Sequence, residues 1–188
     1  GADIHRATLG IVGLGRIGMG VAKRARGFDM NILYSDTNRR KDLEPQYNLI
    51  YTDLNTLLRE SDFVSLHVSL NKTTYHLIGG NQLALMKPTS ILVNAARGGV
   101  VDPTALYEAL RDHQIGGAAL DVTEPEPISV DDPLLTLPNC LIVPHIASAS
   151  IPARREMSRI AAQNLIDGLN GNALFACINP EAYKRIAR

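Results

Sequence analysis

The sequence has few cysteines, and those it has do not form a recognisable site. Cys140 and Cys177 are the two among 188 residues. They do not form a CxxC pair, and no cluster of histidines stands beside either of them. Paired or clustered ligands are the usual sign of a metal site or a disulfide framework. The sequence therefore predicts neither, and both cysteines are interpreted as small apolar residues.

The sequence also lacks an excess of charge of either sign. Nineteen Lys and Arg residues balance nineteen Asp and Glu residues, and no dense basic run interrupts the chain. A protein that binds nucleic acid or an anionic membrane through its electrostatic field needs such an excess, at least locally. We therefore predict no nucleic-acid partner and no membrane partner.

Long apolar runs and a leader-like beginning are missing as well. No stretch is long enough to span a bilayer, and the first six residues, GADIHR, lack the layout of a signal peptide. We therefore predict a cytoplasmic protein. The hydrophobic content of 45% over 188 residues is enough for one well-buried domain and short for two.

One glycine-rich stretch stands out against these absences. The apolar run of Leu9, Ile11 and Val12 leads into Gly13-Leu14-Gly15-Arg16-Ile17-Gly18, and a helical pattern follows. In a dinucleotide fingerprint the first glycine permits the turn, the second lets backbone approach the pyrophosphate, and the third lets the helix pack on the strand. The helix N-terminus then faces the phosphates with unpaired N–H groups. Glycines also serve ordinary turns, so the surrounding residues must decide.

An acidic residue follows at the appropriate place. The next strand-like run, residues 30–34, is followed by Ser35 and Asp36, eighteen residues after Gly18. A carboxylate there binds the ribose hydroxyls of NAD and repels the 2′-phosphate of NADP, so NAD is favoured. Arg39 and Arg40 leave NADP possible, because they can neutralise a 2′-phosphate if the loop bends inward; the alternative is that they are solvated surface charges.

Strand-like and helical patterns alternate along the rest of the chain. This alternation predicts a Rossmann fold, an α/β doubly wound parallel sheet in three layers (α/β/α). The predicted strands lie at residues 9–12, 30–34, 63–68, 90–94, 117–120 and 140–143. Helices are predicted after Gly15, after Asp53, at residues 82–86, from Asp102 to about Asp112, and after Ser150.

Ligands bind at the carboxyl ends of the strands in such sheets, and charged residues follow three of them. Arg97, Asp121 and His145 each come directly or shortly after a predicted strand, and Glu126 lies in a proline-rich loop between the last two. A buried carboxylate beside His145 fixes the tautomer and favours the protonated ring, which makes a general acid. An ion pair at Arg97 and a core histidine at position 145 are the structural alternatives. The other histidines are interpreted as structural or surface residues, with His67 placed near the cofactor cleft.

These motifs together resemble the D-isomer-specific 2-hydroxyacid dehydrogenase family. The similarity covers essentially the whole chain and rests on GLGRIG, on VNAARGGVVD at residues 93–102, on ALDVTEPEP at 119–127 and on PHIAS at 144–148. Within the family the sequence is most similar to glyoxylate/hydroxypyruvate reductases, with phosphite dehydrogenase more distant. The resemblance implies NAD-dependent reduction of a small 2-oxo acid to the 2-hydroxy acid.

The resemblance also assigns roles to individual residues. Arg97 binds the substrate carboxylate, Glu126 supports the histidine, and His145 is the acid/base. Asp36 binds the ribose and Asp121 the nicotinamide carboxamide. Ser69 stands where many members have proline, and Ala95 and Ala96 replace the Thr or Ser often found before the arginine. The implied cofactor-binding residues are Gly13, Gly15, Arg16, Ile17, Gly18, Asp36, Val68, Ser69, Ala95, Arg97, Asp121, His145 and Ser148.

The resemblance finally bears on domains, partners and alternatives. It implies a dinucleotide-binding domain at residues 1–171, a return segment at 172–188 toward a substrate domain absent from this chain, and a homodimer. Two alternatives differ in class from the reductase. One is a non-catalytic NAD-binding module that dimerises, as in corepressor-like relatives; the other is a dehydrogenase with another substrate, such as phosphite.

Overall fold

The computed structural model describes residues 3–183, and these form seven strands in one parallel sheet. The strand order is β3-β2-β1-β4-β5-β6-β7, with β1 paired to both β2 and β4. The strands are β1 (Thr8–Val12), β2 (Asn31–Ser35), β3 (Leu49–Tyr51), β4 (Phe63–Leu66), β5 (Ile91–Asn94), β6 (Gly117–Leu120) and β7 (Cys140–Ile142). The doubly wound α/β fold predicted from the sequence is confirmed.

Six α-helices connect or follow these strands within the described residues. They are α1 (Arg16–Ala25), α2 (Glu44–Tyr47), α3 (Leu54–Glu60), α4 (Gly80–Leu83), α5 (Pro103–Arg111) and α6 (Ile151–Leu169). Local capping explains where two of them begin. The Asp53 carboxylate accepts from the Thr56 N–H at 3.0 Å, and Asp102 accepts from the Thr104 N–H at 3.0 Å, with Pro103 at the first helical position. No described helix has the length and apolarity needed to cross a membrane.

Both faces of the sheet are covered, as the alternation of side chains along the strands shows. In β1, Ile11 belongs to the core beneath α1, whereas Val12 belongs to the core beneath α3 and α5. In β2, Tyr34 belongs to the same core as Ile11, and Leu33 belongs to the same core as Val12. Successive side chains point to opposite faces of a strand, so two separate cores require helices on both sides. The three layers follow from this arrangement.

The structure corrects the predicted elements at two places. Strand β3 is missing from the strands predicted from the sequence, because only Leu49 of its three residues is buried and so short an edge strand shows no alternation. Helix α4 begins at Gly80 and ends at Leu83, earlier than the predicted residues 82–86. The other six strands agree with prediction to within two residues at each end.

The chain divides into two compact units, residues 1–145 and residues 146–188. The second unit consists of α6 and the segment that folds back against it. Asn164 of α6 accepts from the Ala176 N–H at 2.9 Å and donates to the Ala176 carbonyl at 3.1 Å. The predicted return segment, 172–188, begins in this fold-back, and its last five residues lie outside the described part. The predicted domain boundary at residue 171 stays a prediction.

Candidate functional site

The glycine-rich loop occupies the carboxyl end of β1, and two of its glycines are required by the space around them. Gly13 has a φ of +94°, and a Cβ there would lie 2.9 Å from the carbonyl group of His67. A Cβ on Gly18 would lie 2.2 Å from the Gly13 carbonyl oxygen. Any larger residue at either position would strain the backbone or push the strand and helix apart.

Gly15 differs, because a Cβ there would meet no atom within 4 Å. The loop is therefore open on this side, directly at the N-terminus of α1, where Gly15 is the capping residue. Unpaired N–H groups and the positive end of the helix dipole favour an anion at this place. An approaching pyrophosphate would take the space that a side chain at Gly15 would fill. The loop therefore fits the diphosphate of a dinucleotide.

Asp36 lies at the end of β2, beside this loop. Its Oδ2 accepts from the Leu14 N–H at 2.7 Å, and its Oδ1 accepts from the Asn38 N–H at 2.9 Å. These two bonds fix a half-buried carboxylate at the loop. Oδ1 also accepts from the Thr37 hydroxyl at 3.4 Å. Oδ2 keeps a second lone pair, so the group can still accept a hydrogen bond from a ribose hydroxyl.

A cleft runs along the rim from Asp36 toward Arg97. A cavity of about 270 Å³ is lined by Gly13, Gly15 and Asp36, among others. A neighbouring cavity of about 420 Å³ is lined by Ile17, Ala95 and Arg97, among others. The three residues that line both cavities are His67, Val68 and Ser69. The structure thus brings together most of the predicted cofactor-binding residues, and it places His67 at the cleft as predicted.

His67 is held in a neutral environment within this cleft. Burial lowers the pKa of its imidazole, because the charged ring loses solvation. Its Nε2 lies 2.9 Å from the Ser65 hydroxyl oxygen, which belongs to the buried strand β4. A neutral imidazole leaves the middle of the cleft without a fixed positive charge.

The loop that carries Arg97 is clamped by a buried asparagine that the sequence analysis did not identify. Asn94 is 1% exposed, and its side chain accepts from the Ala96 N–H at 3.1 Å and donates to the Arg97 carbonyl at 3.0 Å. An asparagine that ends a buried strand is the sequence signal for such a clamp. The Arg97 guanidinium donates to the Ala96 carbonyl at 2.6 Å.

His145 and Glu126 lie in direct contact at the other end of the rim. The Nδ1 atom of His145 is 2.6 Å from Glu126 Oε1. Because a carboxylate only accepts, Nδ1 carries the hydrogen and Nε2 is the ring nitrogen left for a ligand. The sequence predicts a buried carboxylate beside His145. Instead the side chains of His145 and Glu126 are 47% and 42% exposed, because both lie on loops that project beyond the sheet.

Asp121 lines a different cavity from the two described above, and Ser148 belongs to the other compact unit. Asp121 is 8% exposed and shares a cavity of about 530 Å³ with Glu126, on the β6–β7 side of the rim. Ser148 is exposed and belongs to the second compact unit. Arg16 is exposed at the start of α1. The contacts of these three residues with a cofactor stay predictions.

His76, interpreted from the sequence as a structural or surface residue, has two carboxylate partners. Its Nε2 lies 2.8 Å from Glu124 Oε2, and its Nδ1 lies 3.8 Å from Asp102 Oδ2. The ring also stacks on Tyr75 with centroids 3.9 Å apart. Glu124 is 48 residues away in sequence, so spacing alone gave no indication of the pair. His76 therefore ties the Glu124–Glu126 loop to the start of α5.

No group of three or more His, Cys, Asp or Glu residues in the described part of the chain is arranged to hold a metal ion. The described rim brings together several groups suited to binding or chemistry. It consists of a glycine loop open to a diphosphate, a carboxylate beside it, a guanidinium in the cleft and an imidazole paired with a carboxylate.

Comparison with known proteins identifies the family that shares this arrangement. Residues 1–147 match the model of the D-isomer specific 2-hydroxyacid dehydrogenase, NAD binding domain. The chain is 53% identical over 184 residues to a glyoxylate reductase of Korarchaeum cryptofilum, covering 98% of this chain and 55% of that protein. It is 51% identical over 181 residues to the glyoxylate/hydroxypyruvate reductase B of Shigella boydii, covering 96% and 56%.

A solved structure shows the same likeness in three dimensions. The D-lactate dehydrogenase with NAD+ from Lactobacillus jensenii superposes with a TM-score of 0.85 at 36% identity, covering 94% of this chain and 57% of that one. The chain thus spans a little over half the length of the relatives it matches. It belongs to the D-isomer specific 2-hydroxyacid dehydrogenase family and contains that family's NAD-binding domain.

Proposed function

We propose that this chain is the cofactor-binding part of an NAD-dependent reductase that converts glyoxylate or hydroxypyruvate to the corresponding 2-hydroxy acid. The observation that carries the proposal is the contact of 2.6 Å between His145 Nδ1 and Glu126 Oε1, on the same rim as the glycine loop. A histidine oriented in this way through Nδ1 presents its other nitrogen for proton transfer. The names of the two relatives supply the substrate class.

The proposed division of labour follows the strand ends. The N-terminus of α1 and the loop of Gly13, Gly15 and Gly18 hold the diphosphate, with Arg16 and Ile17 contacting it through their backbones. Asp36 binds the adenosine ribose, and Asp121 the carboxamide of the nicotinamide. Four further residues line the cofactor: Val68, Ser69, Ala95 and Ser148.

The chemical step places two residues at the substrate. Arg97 binds the carboxylate of the 2-oxo acid through its planar fork, a geometry that lysine cannot reproduce. Bound NADH supplies the hydride that reaches the carbonyl carbon. His145 donates the proton that the carbonyl oxygen takes up, and Glu126 holds the imidazole in the required tautomer and stabilises its charge.

Three expectations from the sequence are carried forward as part of the proposal. The dinucleotide-binding domain extends over residues 1–171, with the segment 172–188 directed toward a substrate domain supplied by other sequence. The protein forms a homodimer. It is located in the cytoplasm.

The test has a binding step and a turnover step. The 188-residue chain is titrated calorimetrically with NADH. A chimera in which this chain replaces the matching 55% of the Korarchaeum glyoxylate reductase is then assayed for NADH oxidation with glyoxylate and with hydroxypyruvate. We expect NADH binding by the chain and turnover by the chimera.

Other results would contradict specific parts of the proposal. A folded chimera that binds NADH but turns over neither acid would favour a non-catalytic NAD-binding module. Turnover of phosphite instead would replace the substrate class. A chain that binds no NADH would overturn the assignment of the cleft.

A further inference from the structure

The loop after Asp36 carries two arginines, and both are already engaged. Arg39 contacts the carboxylate of Glu44 with both sides of its fork: Nε lies 2.8 Å from Oε1 and Nη2 lies 2.9 Å from Oε2. The same guanidinium lies 5.2 Å from the centre of the Tyr51 ring, on the edge strand β3. A bidentate pair that also packs on an aromatic face holds the arginine in one position.

Glu44 is itself anchored to the core of the domain. The hydroxyl of Tyr34 donates to Glu44 Oε1 at 2.8 Å, and Tyr34 is fully buried in β2. The Tyr34 hydroxyl also accepts from the Arg40 N–H at 2.8 Å. The Glu44 side chain is 17% exposed. The hydrogen bond from Arg39 lowers the pKa of Glu44 to about 2, so the carboxylate stays charged at neutral pH.

Arg40 is engaged more weakly. It contacts both oxygens of Asp42, with Nε 3.2 Å from Oδ1 and Nη2 3.0 Å from Oδ2. The two arginines are similarly exposed, at 42% for Arg40 and 47% for Arg39, but Asp42 is 64% exposed whereas Glu44 is 17% exposed. Exposed pairs of this kind contribute little, because water competes for both charges and long side chains lose entropy. Lys41 is exposed in the same loop. The anchored pair of Arg39 and Glu44 is therefore the one that can withhold a positive charge from a ligand.

The cavity beside Asp36 shows the consequence of this pairing. Among described residues its lining includes Asp36 and Thr37 but neither Arg39 nor Arg40. The cavity thus contains the Asp36 carboxylate, whereas the Arg39 guanidinium is paired with Glu44 and does not line the cavity. A 2′-phosphate would meet the negative charge of Asp36 and would find the Arg39 guanidinium already paired with Glu44.

We propose that Glu44 is a specificity-determining residue for the cofactor: it holds the Arg39 guanidinium against Tyr51 and so keeps it from the 2′ position of the adenosine ribose. This inference rests on the proposed use of NAD by this chain. NADP is then excluded for two reasons. Asp36 repels the 2′-phosphate, and Glu44 keeps the Arg39 guanidinium from binding it. Binding of a 2′-phosphate by Arg39 requires that its pair with Glu44 be broken first.

The test measures binding and so does not depend on turnover. NADH and NADPH are titrated calorimetrically into the wild-type chain and into Asp36→Asn, which removes the charge but keeps an acceptor for the Leu14 N–H. The same titrations are made with Asp36→Asn/Glu44→Gln, in which the glutamine still accepts from Tyr34. The pair 5′-AMP and 2′,5′-ADP isolates the contribution of the 2′-phosphate.

We expect the double variant to bind NADPH about 10- to 100-fold more tightly than Asp36→Asn, as one or two new charge-assisted hydrogen bonds would give. Adding Arg39→Gln should abolish this gain. The matched control is Asp42→Asn in the Asp36→Asn background, which releases the exposed Arg40 and should change NADPH affinity no more than about fivefold. Circular dichroism melting checks that each variant is folded.

The outcomes separate this inference from the proposed function. If the wild type binds NADH and the double variant gains nothing for NADPH, the role of Glu44 is overturned while the NAD assignment stands. If the wild type binds neither cofactor, both fail. If the Glu44→Gln variant does not fold, the NADPH affinity of Asp36→Asn/Arg39→Gln is compared with that of Asp36→Asn. If Glu44 keeps Arg39 from the 2′ position, the two affinities should be equal. A loss of about tenfold or more would mean that Arg39 already contacts the phosphate.

Discussion

The two ends of the rim are built differently. At the adenosine end, defined by the loop 13–18 with Asp36 and Glu44, the two carboxylates are half-buried and fixed by backbone or core hydrogen bonds. At the acid–base end, defined by Arg97, Glu126 and His145, the side chains are exposed. Glu126 and His145 contact each other at 2.6 Å, yet nearly half of each side chain faces solvent.

Under the proposed function, this difference separates recognition of the cofactor from the chemical step. The adenosine end has its partners within the same compact unit, so its geometry does not depend on a ligand. Charges at the acid–base end are screened by water, which weakens every interaction that a transition state would use. We therefore expect residues 1–145 to recognise the cofactor by themselves and the reaction to require that the acid–base end be covered.

The largest effect is expected at the acid–base end. Replacing the proton donor in His145→Gln should lower turnover of glyoxylate by the chimera by about 10²–10⁴-fold. The affinity of the chain for NADH should fall far less than turnover does, because the adenosine end is untouched. His113→Asn, an exposed histidine at a similar positive φ of +54°, is the control. An equal loss in the control would remove His145 from the mechanism.

Two neighbouring glycines sharpen the comparison within the adenosine end. Gly13→Ala should lower the free energy of unfolding by about 1–3 kcal/mol, since it forces a side chain into a positive φ against the His67 carbonyl. Gly15→Ala should leave the free energy of unfolding within about 0.5 kcal/mol of the wild type, because its Cβ meets nothing within 4 Å.

Binding should respond in a different way. Gly15→Ala places a methyl group where the diphosphate is proposed to lie, so NADH affinity should fall about tenfold. Urea unfolding and calorimetric titration of the same samples provide both values. Unchanged NADH binding by the folded Gly15→Ala variant would contradict the assignment of this loop to the diphosphate.

A smaller effect is expected from the guanidinium in the cleft. Arg97→Lys keeps the charge but removes the planar fork, so the KM of the chimera for glyoxylate should rise about tenfold, the equivalent of one charge-assisted hydrogen bond. Arg111→Lys, paired with Asp112 on the surface, is the matched control. Steady-state kinetics at saturating NADH make the comparison, and equal KM values for the two variants would speak against a substrate contact.

The smallest effect concerns the pH dependence of stability. The pKa of Glu44 is about 2 in the folded chain, below its ordinary value of 4.5, because Arg39 stabilises the charged form. The unfolded chain therefore takes up this proton first as the pH falls. The stabilisation is fully present above about pH 4.5 and is lost as the pH falls toward 2.

Urea midpoints measured between pH 7 and pH 2 for the wild type and Glu44→Gln test this expectation. The wild type should be the more stable at neutral pH, and the difference should shrink below about pH 4.5. A difference that is constant over the whole range would mean that the charge of Glu44 contributes nothing to the fold.

Contacts between distant segments could not be predicted from the sequence, whereas local capping could. The capping by Asp53 and Asp102 depends on neighbours within three residues, and such local patterns can be read directly. The pair of His76 and Glu124 joins residues 48 positions apart, and the edge strand β3 is too short to show a periodicity. Contacts between distant segments depend on the packing of the whole sheet.

In the candidate site, too, some features could be predicted from the sequence and others could not. Glycine spacing, the acidic residue after β2 and the placement of Arg97 and His145 after strands follow from the one-dimensional order, because parallel strands bring their carboxyl ends to one edge. The direction in which Arg39 points does not. From the sequence, Arg39 could bind a 2′-phosphate or extend into solvent. In the folded chain α2 and β3 bring Glu44 and Tyr51 to Arg39, and its guanidinium contacts both. A flexible side chain takes the partner that the fold places within its reach.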